Sequence, residues 1–437
     1  CSSSGPVYIG DRIWDDEGWA IASDGNGYIY FGGRTWSSSD IATNNGYDNS
    51  WNGGFDGFLA KFDLVTGQRL WGTYLGSTVA VKDIVVNGSD VYVAAIGRLY
   101  KFNADGSLIW EKEVPARLNS IVYKGSYLYV AGSTSVSSGV SHGSVHQANY
   151  GGAGDGYVAR YNTDDGGLGW ASYYGGSGMD EFRELQVTGS GVSEALYLGG
   201  VTGSSTGIAT SGVYQDTLWG EQDAMLVKMT SFGARLWGSY FGGEEKEWVG
   251  ALVRQPDGSI VMGGSTESTV GINSSPCNPQ TTRHPKVNGR IVPSSFLASF
   301  TTNGTLEYGT YLPGGFTNPE WEEYCGVEDI IMYQGDMYLA FNEISDGYFM
   351  KIREEDLAPE LEVNFSDGYT VPENGQSIPA YDFGNNAQCY ATQTFTIRNI
   401  GTGCLGLTGA PDLIQLSDET NFRIINQNLP DQDRLFG

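Results

Sequence analysis

Several groups of residues have types and spacings that could do chemistry. Gly203-Ser-Ser205-Thr-Gly207 fits the Gly-x-Ser-x-Gly pattern of a nucleophilic serine. That motif works at a strained turn between a strand and a helix. Here it lies in a Ser/Thr/Gly-rich loop with parallel copies at Thr35 and Thr134, and no helical pattern follows, so it reads as loop template. His142 and His146 have the spacing of two metal ligands on one helix face. They sit in a Gly/Ser stretch where a sister segment has Thr210 and Tyr214, which points to drift between repeats, and the remaining histidine, His284, has no evident partner. Asp56, Asp155, Asp223 and Asp346 open four similar segments. Carboxylates with nearby loop carbonyls suit Ca²⁺; the ordinary reading is hydrogen bonding at strand ends. Paired carboxylates could also hydrolyse or cleave a polysaccharide, but nothing selects one pair among 51 acids. Cys277, Cys325, Cys389 and Cys404 form no Cys-x-x-Cys pair, which disfavours zinc. Two disulfides in an exported protein are expected, with the pairing open and four buried thiols as the alternative.

The elements that carry these residues repeat. Trp71-Gly-Thr-Tyr74 returns as Trp170-Ala-Ser-Tyr173, as Trp237-Gly-Ser-Tyr240 and, more weakly, as Tyr308-Gly-Thr-Tyr311. Each unit begins with a strand, a polar turn and a second strand, as in Trp19-Ala-Ile-Ala, Ser23-Asp-Gly-Asn-Gly, Tyr28-Ile-Tyr-Phe-Gly-Gly. Gly, Asn and Asp tolerate the positive φ of tight hairpins. A long Ser/Thr/Gly-rich loop follows, then a third strand such as Asp56-Gly-Phe-Leu-Ala-Lys61, then the Trp-x-x-Tyr strand. Four antiparallel strands per unit, repeated radially, make a β-propeller blade. Six units start near Trp19, Val81, Leu118, Phe182, Val249 and Val327. The expectation is six blades, with seven as the fallback. Pro6-Val-Tyr8-Ile-Gly-Asp is expected to pair as the outer strand of the last blade and close the ring, removing exposed edges.

In this arrangement the links between units and the long loops share one face. That face gathers many acids, among them the four strand-opening aspartates, and the aromatics Trp36, Trp51, Tyr150 and Trp219. Exposed aromatics suit sugar rings or protein anchors. The chain of 437 residues carries 24 Lys and Arg against 51 Asp and Glu, a net charge of −27. Phosphate binding needs a basic face, so nucleic acid is not the expected partner, and an anionic membrane surface is disfavoured. No apolar run reaches the length of a membrane helix.

The repeats resemble the SBBP ("seven-bladed β-propeller") family over residues 6–353. The resemblance rests most on Thr202-Gly-Ser-Ser-Thr-Gly-Ile-Ala-Thr-Ser-Gly-Val-Tyr-Gln215, the Asp223 strand and Trp237-Gly-Ser-Tyr-Phe-Gly-Gly. The second unit departs from the pattern, lacking the long loop and the aspartate, where Ile96-Gly-Arg-Leu-Tyr-Lys101 stands. The resemblance implies a large exported bacterial protein, often one that uses type IX secretion. Asp216-Thr217-Leu resembles the O-glycosylation motif of such bacteria, which makes Thr217 a candidate acceptor. Cys1-Ser-Ser-Ser-Gly resembles a bacterial lipoprotein after signal cleavage, with Cys1 the lipidation candidate; the alternative is that numbering simply begins there.

Residues 357–437 change pattern. Asp382-Phe-Gly and Gln393-Thr-Phe-Thr-Ile-Arg-Asn-Ile-Gly-Thr-Gly resemble a choice-of-anchor D or ASH-like domain, an immunoglobulin-like sandwich. Such a sandwich needs about 100 residues, so this one is expected to be truncated and to continue beyond Gly437. The division expected is a propeller over 1–356 and an Ig-like domain over 357–437. The function expected is a non-enzymatic binding and display scaffold on the outer surface of a bacterium or outside it. Its partner would be a cell-surface polysaccharide or protein, with export machinery as a second contact and Ca²⁺ as the one cofactor considered. The rivals are a purely structural module of an adhesin or filament, and a polysaccharide hydrolase or lyase.

Overall fold

The Asp-Gly and Asn-Gly signals close hairpins. Asp24 Oδ1 accepts the backbone N–H groups of Asn26 (2.8 Å) and Tyr28 (3.1 Å), with Gly25 and Gly27 at φ +73° and +96°. This turn joins β1 (Glu17–Ser23) to β2 (Tyr28–Thr35). With β3 (Asp56–Asp63) and β4 (Arg69–Ser77) they form an antiparallel sheet in the order β1-β2-β3-β4. The computed structural model describes residues 9–10, 16–272, 293–312, 326–343, 346–352, 361–365 and 395–399.

Five such sheets succeed one another as the blades of an all-β propeller. The second combines β5 (Val81–Asn87), β6 (Asp90–Asn103), β7 (Leu108–Lys124), β8 (Tyr127–Thr134), β9 (Asp155–Asn162) and β10 (Leu168–Tyr174). The third holds β11 (Asp180–Thr188), β12 (Ala195–Thr202), β13 (Asp223–Thr230) and β14 (Arg235–Phe241). The fourth holds β15 (Glu247–Arg254), β16 (Ile260–Thr266), β17 (Ser294–Phe300) and β18 (Leu306–Tyr311). The fifth holds three strands, β19 (Gly326–Tyr333), β20 (Asp336–Glu343) and β21 (Asp346–Ile352). The first strands of successive units pack on one another, β1 on β5, β5 on β7, β7 on β11, β11 on β15 and β15 on β19, so they lie innermost.

Six separate blades were expected, and the structure corrects this to five. The units that start at Val81 and Leu118 share one sheet of six strands. The reason is the missing long loop. Between the second and third segments of that unit stands only Ile96-Gly97, with Gly97 at φ +74°, so β6 bends at a register shift and does not break. β7 likewise runs without interruption from the outer edge of one unit into the inner strand of the next. The closing strand expected at Pro6–Asp11 lies outside the described residues except for Ile9 and Gly10. Gly10 packs against Asp16 and Ser37 as Gly175 and Gly176 pack against Asp180 and Ser204.

The repeated tryptophan is a staple between units. Trp71 Nε1 (3.0 Å) and Lys61 Nζ (3.1 Å) both donate to Ala104 O, in the next unit's turn. Trp110 and Lys101 do the same to Thr163 O at 3.3 and 3.2 Å. Trp170 and Arg160 reach Ser231 O at 2.9 and 3.3 Å. Trp237 and Lys228 reach Thr302 O at 3.3 and 2.7 Å. Each receiving turn has a positive-φ glycine (Gly106, Gly166, Gly233, Gly304) lying on the indole, where a Cβ would stand 2.9–3.0 Å from the ring, closer than van der Waals contact. A buried indole and a charge-assisted hydrogen bond act together here, each contributing on the order of 1–3 kcal/mol. The tyrosine of the same motif pins the other end. Tyr74, Tyr173, Tyr240 and Tyr311 donate to Ser37 O, Val136 O, Ser204 O and Ser268 O at 2.9, 2.8, 2.7 and 3.0 Å.

The innermost strands share one more device. Each skips one residue in its pairing, a β-bulge, at Trp19, Lys82, Asn119, Arg183, Gly250 and Glu328. The bulge brings backbone against the second strand, which explains much of the repeated Gly-Gly. Cβ atoms at Gly33, Gly132, Gly200 and Gly264 would collide with Glu17 O, Arg117 O, Glu181 O and Trp248 O. Ala94-Ala95 and Ala340-Phe341 stand at this place in the second and last units.

Beyond the propeller, β22 (Leu361–Phe365) and β23 (Phe395–Asn399) pair antiparallel, Leu361 opposite Asn399. Cys1, Cys277, Cys325, Cys389 and Cys404 lie outside the described residues, and with them the disulfide and lipidation expectations.

Candidate functional site

The long loops are tied down from beneath. Asp56 Oδ2 accepts from Asn52 N (3.0 Å) and Nδ2 (3.2 Å). Asp155 Oδ2 accepts from Gly151 N (2.9 Å) and Gln147 Nε2 (2.8 Å). Asp223 accepts from Trp219 N (2.9 Å), Gly220 N (2.9 Å) and Gln215 Nε2 (2.8 Å). All three are buried, and burial first of all raises each carboxyl above its ordinary range. A Ca²⁺ site needs oxygen donors converging on one point. These aspartates stand in different units, and each collects N–H donors from its own loop. Among the described residues no three acidic, histidine or cysteine groups gather as a metal site. Of Asp346 only the backbone is described.

A second set of acids binds the loop starts to the links between units. Asp180 accepts from Thr202 Oγ1, Ser204 Oγ (2.7 Å) and Gly176 N (2.9 Å). Glu247 accepts from Thr266 Oγ1 (2.6 Å) and Gly243 N (3.1 Å). Asp16 accepts from Thr35 Oγ1 (2.5 Å), Ser37 Oγ (2.8 Å) and Trp36 N (3.2 Å). Burial, with a contribution from Asp223, pushes Glu247 up to about 8.

The predicted aromatics divide into two pairs. Trp51 and Trp219 are 39% and 58% exposed, near the C-terminal ends of the pinned loops. Trp36 is half-buried under the Arg34 guanidinium (4.7 Å) and against Phe55 (5.6 Å). Tyr150 packs edge-on against Tyr173 at 5.8 Å. Thr217 is exposed in the same loop as Trp219.

The catalytic patterns find structural roles. Ser204 is buried and hydrogen-bonded to Asp180, while Ser205 is exposed in a bend from which no helix departs. His142 and His146 make separate backbone contacts, with Ala171 (2.8 Å) and Gly233 (3.0 Å). The His146 ring packs on Tyr174 at 5.3 Å, and burial followed by Arg235 lowers its pKa to about 4.

Sequence reasoning missed the axis. The bulges carry Lys82, Asn119, Arg183 and Glu328 in one layer and Asp83, Ser120, Glu184 and Asp329 in the next. Among the described residues the inner strands pair with no strand on their axial edge, and these acids accept its N–H groups. Asp83 accepts Ile84 N (2.8 Å) and, across to the next unit, Ile121 N (2.8 Å), and Asp329 accepts Ile330 N (2.7 Å). Burial, then neighbouring acid charge, raises Asp83 to about 7 and Glu184 well above its ordinary range. Above them Asn119 Nδ2 donates to Glu181 Oε1 (2.7 Å) and Phe182 O (2.8 Å). The available signal was a polar pair at the same two positions of several units, in the middle of an otherwise apolar first strand.

A family model described as "Outer membrane protein assembly factor BamB" matches residues 56–211. Among solved structures, the WD40 β-propeller domain of Doa1 is similar at 11% identity, covering 78% of this chain and 81% of that one, TM-score 0.43. BamB from Moraxella catarrhalis is similar at 12% identity, covering 74% and 81%, TM-score 0.34. Quinohemoprotein alcohol dehydrogenase from Comamonas testosteroni is similar at 10% identity, covering 78% and 67%, TM-score 0.38. No curated protein matches the chain. Fold alone does not decide whether this chain is an enzyme.

Proposed function

We propose that the chain is a binding scaffold of the bacterial cell envelope or its exterior, holding a surface polysaccharide on the long-loop face of the propeller. The observation that carries this reading is the contrast between loop composition and loop anchoring. Stretches rich in Gly and Ser are held by buried Asp, Tyr and Thr/Ser bonds, and two of them present Trp51 and Trp219 to solvent. Pinned loops with exposed indoles reduce the ordering cost of binding. The partial match to an outer membrane assembly factor supports an envelope address. The SBBP resemblance, export by type IX secretion and an Ig-like fold around β22 and β23 belong to the same proposal. The test is binding of the purified chain to polysaccharide isolated from the native envelope. Trp51→Ala and Trp219→Ala should each weaken saturable binding with the melting temperature nearly unchanged. Binding that survives the double variant would sink the loop-face reading.

A further inference from the structure

Three long loops hang on the same kind of pin, and one of the three pins differs in its chemistry. Gln147 and Gln215 each tie a loop to its blade. Their backbone N–H groups donate to Ser172 Oγ and Ser239 Oγ at 3.1 Å, and their carbonyls accept from Tyr173 N (3.2 Å) and Tyr240 N (3.0 Å). Their Nε2 groups donate to Asp155 and Asp223 at 2.8 Å, and their Oε1 atoms accept from Gly175 N (2.9 Å) and Gly242 N (3.1 Å). In the first loop the same backbone position is Asp48. Its N–H donates to Thr73 Oγ1 (2.8 Å) and its carbonyl accepts from Tyr74 N (2.9 Å). A carboxylate cannot donate to Asp56. The side-chain bond comes instead from Asn52, whose Nδ2 lies 3.2 Å from Asp56 Oδ2.

The substitute is chemically labile. Asn52 is followed by Gly53, and a backbone nitrogen can attack the carboxamide carbon of the asparagine before it, closing a small ring. Glycine allows this most freely because it has no Cβ. A glutamine would need a larger ring that closes more slowly, and Gln147 and Gln215 are followed by Ala148 and Asp216. The structure leaves the first pair open to the reaction. Asn52 is exposed, Gly53 N has no acceptor among the described residues, and a Cβ at Gly53 (φ +84°) would meet nothing within 4 Å. The amide nitrogen, which is the leaving group, is held by Asp56 and by Ser50 O (3.1 Å). Two other Asn-Gly pairs are closed to the reaction, because Gly46 N donates to Thr43 O (2.8 Å) and Gly304 N to Thr301 O (3.0 Å). Asn26-Gly27 and Asn87-Gly88 stand in hairpin turns, and no long loop hangs on them.

We propose that Asn52 is a self-modification site whose conversion to aspartate or isoaspartate unpins the first long loop and, with it, Trp51. Gly53 N bonds to Asn52 Cγ, the Cγ–Nδ2 bond breaks, and the nitrogen leaves as ammonia, carrying the proton that Gly53 gave up. Water then opens the ring to either acid. The change removes the one side-chain donor that Asp56 has among the described residues and sets a new negative charge beside it. The loops held by Gln147 and Gln215 stay pinned. The modification does not depend on the scaffold reading above; its effect on sugar binding does.

The test keeps the full chain warm at mildly alkaline pH and maps its peptides by mass spectrometry, with isoaspartyl methyltransferase marking the branched product. Asn52 should convert ahead of Asn45 and Asn303, and Asn52→Gln should keep its amide. Without any incubation, Asn52→Asp should be cleaved within residues 36–55 about tenfold faster in limited proteolysis, the effect of losing one charge-assisted bond. Cleavage within 135–154 and 203–222 should be unchanged, since those loops are the internal controls. An Asn52 that outlasts Asn45 and Asn303 overturns the proposal, as does an Asn52→Asp chain whose first loop resists protease like the unaltered protein. Should Asn52→Asp fail to fold, the incubated natural chain carries the same readout. Conversion and cleavage with polysaccharide binding unchanged would uphold this site and tell against the loop-face reading.

Discussion

The two halves of the six-stranded blade differ in what they keep. The first half, β5 to the start of β7, has no long loop, no strand-opening aspartate and no tyrosine after Trp110. The second half, from Arg117 to Tyr174, has all three. Yet both keep the indole staple with its cation and glycine, and both keep the bulge. The staple and bulge are therefore requirements of stacking one unit on the next. The loop and its anchors are additions on one face, the part of the molecule free to vary with a ligand.

Breaking the shared device should have the largest effect, and an equal one in both halves. Trp110→Ala and Trp170→Ala each remove a buried indole and its bond to the next unit, and each should cost about 3–5 kcal/mol. Thermal or denaturant unfolding checks this. A much smaller loss at Trp110 would mean that the continuous β6–β7 ladder already does the staple's work. Next comes the anchor that only the second half has. Asp155→Ala frees Gly151 and Gln147 and should cost about 1–3 kcal/mol. The sharper readout is limited proteolysis, with new cleavage confined to residues 135–154.

A third test uses the position that follows the bulge, Asp83 in the first half and Ser120 in the second. Asp83 titrates at about 7 in the fold, above its unfolded range, and Glu247 at about 8. For each group, the native state thus holds more protons than the unfolded chain between the ordinary carboxyl value and the raised one. Stability should be greatest on the acid side of that window and fall as pH rises from about 4 toward 8. Asp83→Asn should flatten the part of the fall that ends near 7, while Ser120→Ala, which removes a hydroxyl that draws the Asp83 and Glu184 carboxyls down, should carry the fall to higher pH. Melting temperatures across pH 4–9 decide it; a stability that rises over this window would refute the assignment. The smallest effect concerns calcium. Since Asp56, Asp155 and Asp223 face N–H donors, a chelator should leave the melting temperature unchanged. A clear drop would restore the cation reading.

Much of the fold was legible because its rules are local. Hairpin turns follow from Gly and Asn at positive φ, third strands buried on both faces read as apolar runs, and the recurrence of Trp-x-x-Tyr gave the unit length. Four aromatics were singled out, but nothing in one repeat tells that Trp36 lies beneath Arg34 while Trp219 lies with one edge on Gly271 and more than half its surface exposed. The same holds for the aspartates, whose partners are N–H groups and not one another.

The sequence by itself determined the strands, their order within a unit, the turns and the acidity of the chain. Those depend on backbone preferences and alternation over a few residues. Only the tertiary structure decided that two units fuse into one blade, that Lys61 and Trp71 grip a carbonyl 43 and 33 residues away, and that Asp83 reaches Ile121 N in the next unit. Those contacts join separate repeats, and what brings them together is the stacking of blades, which no single repeat contains.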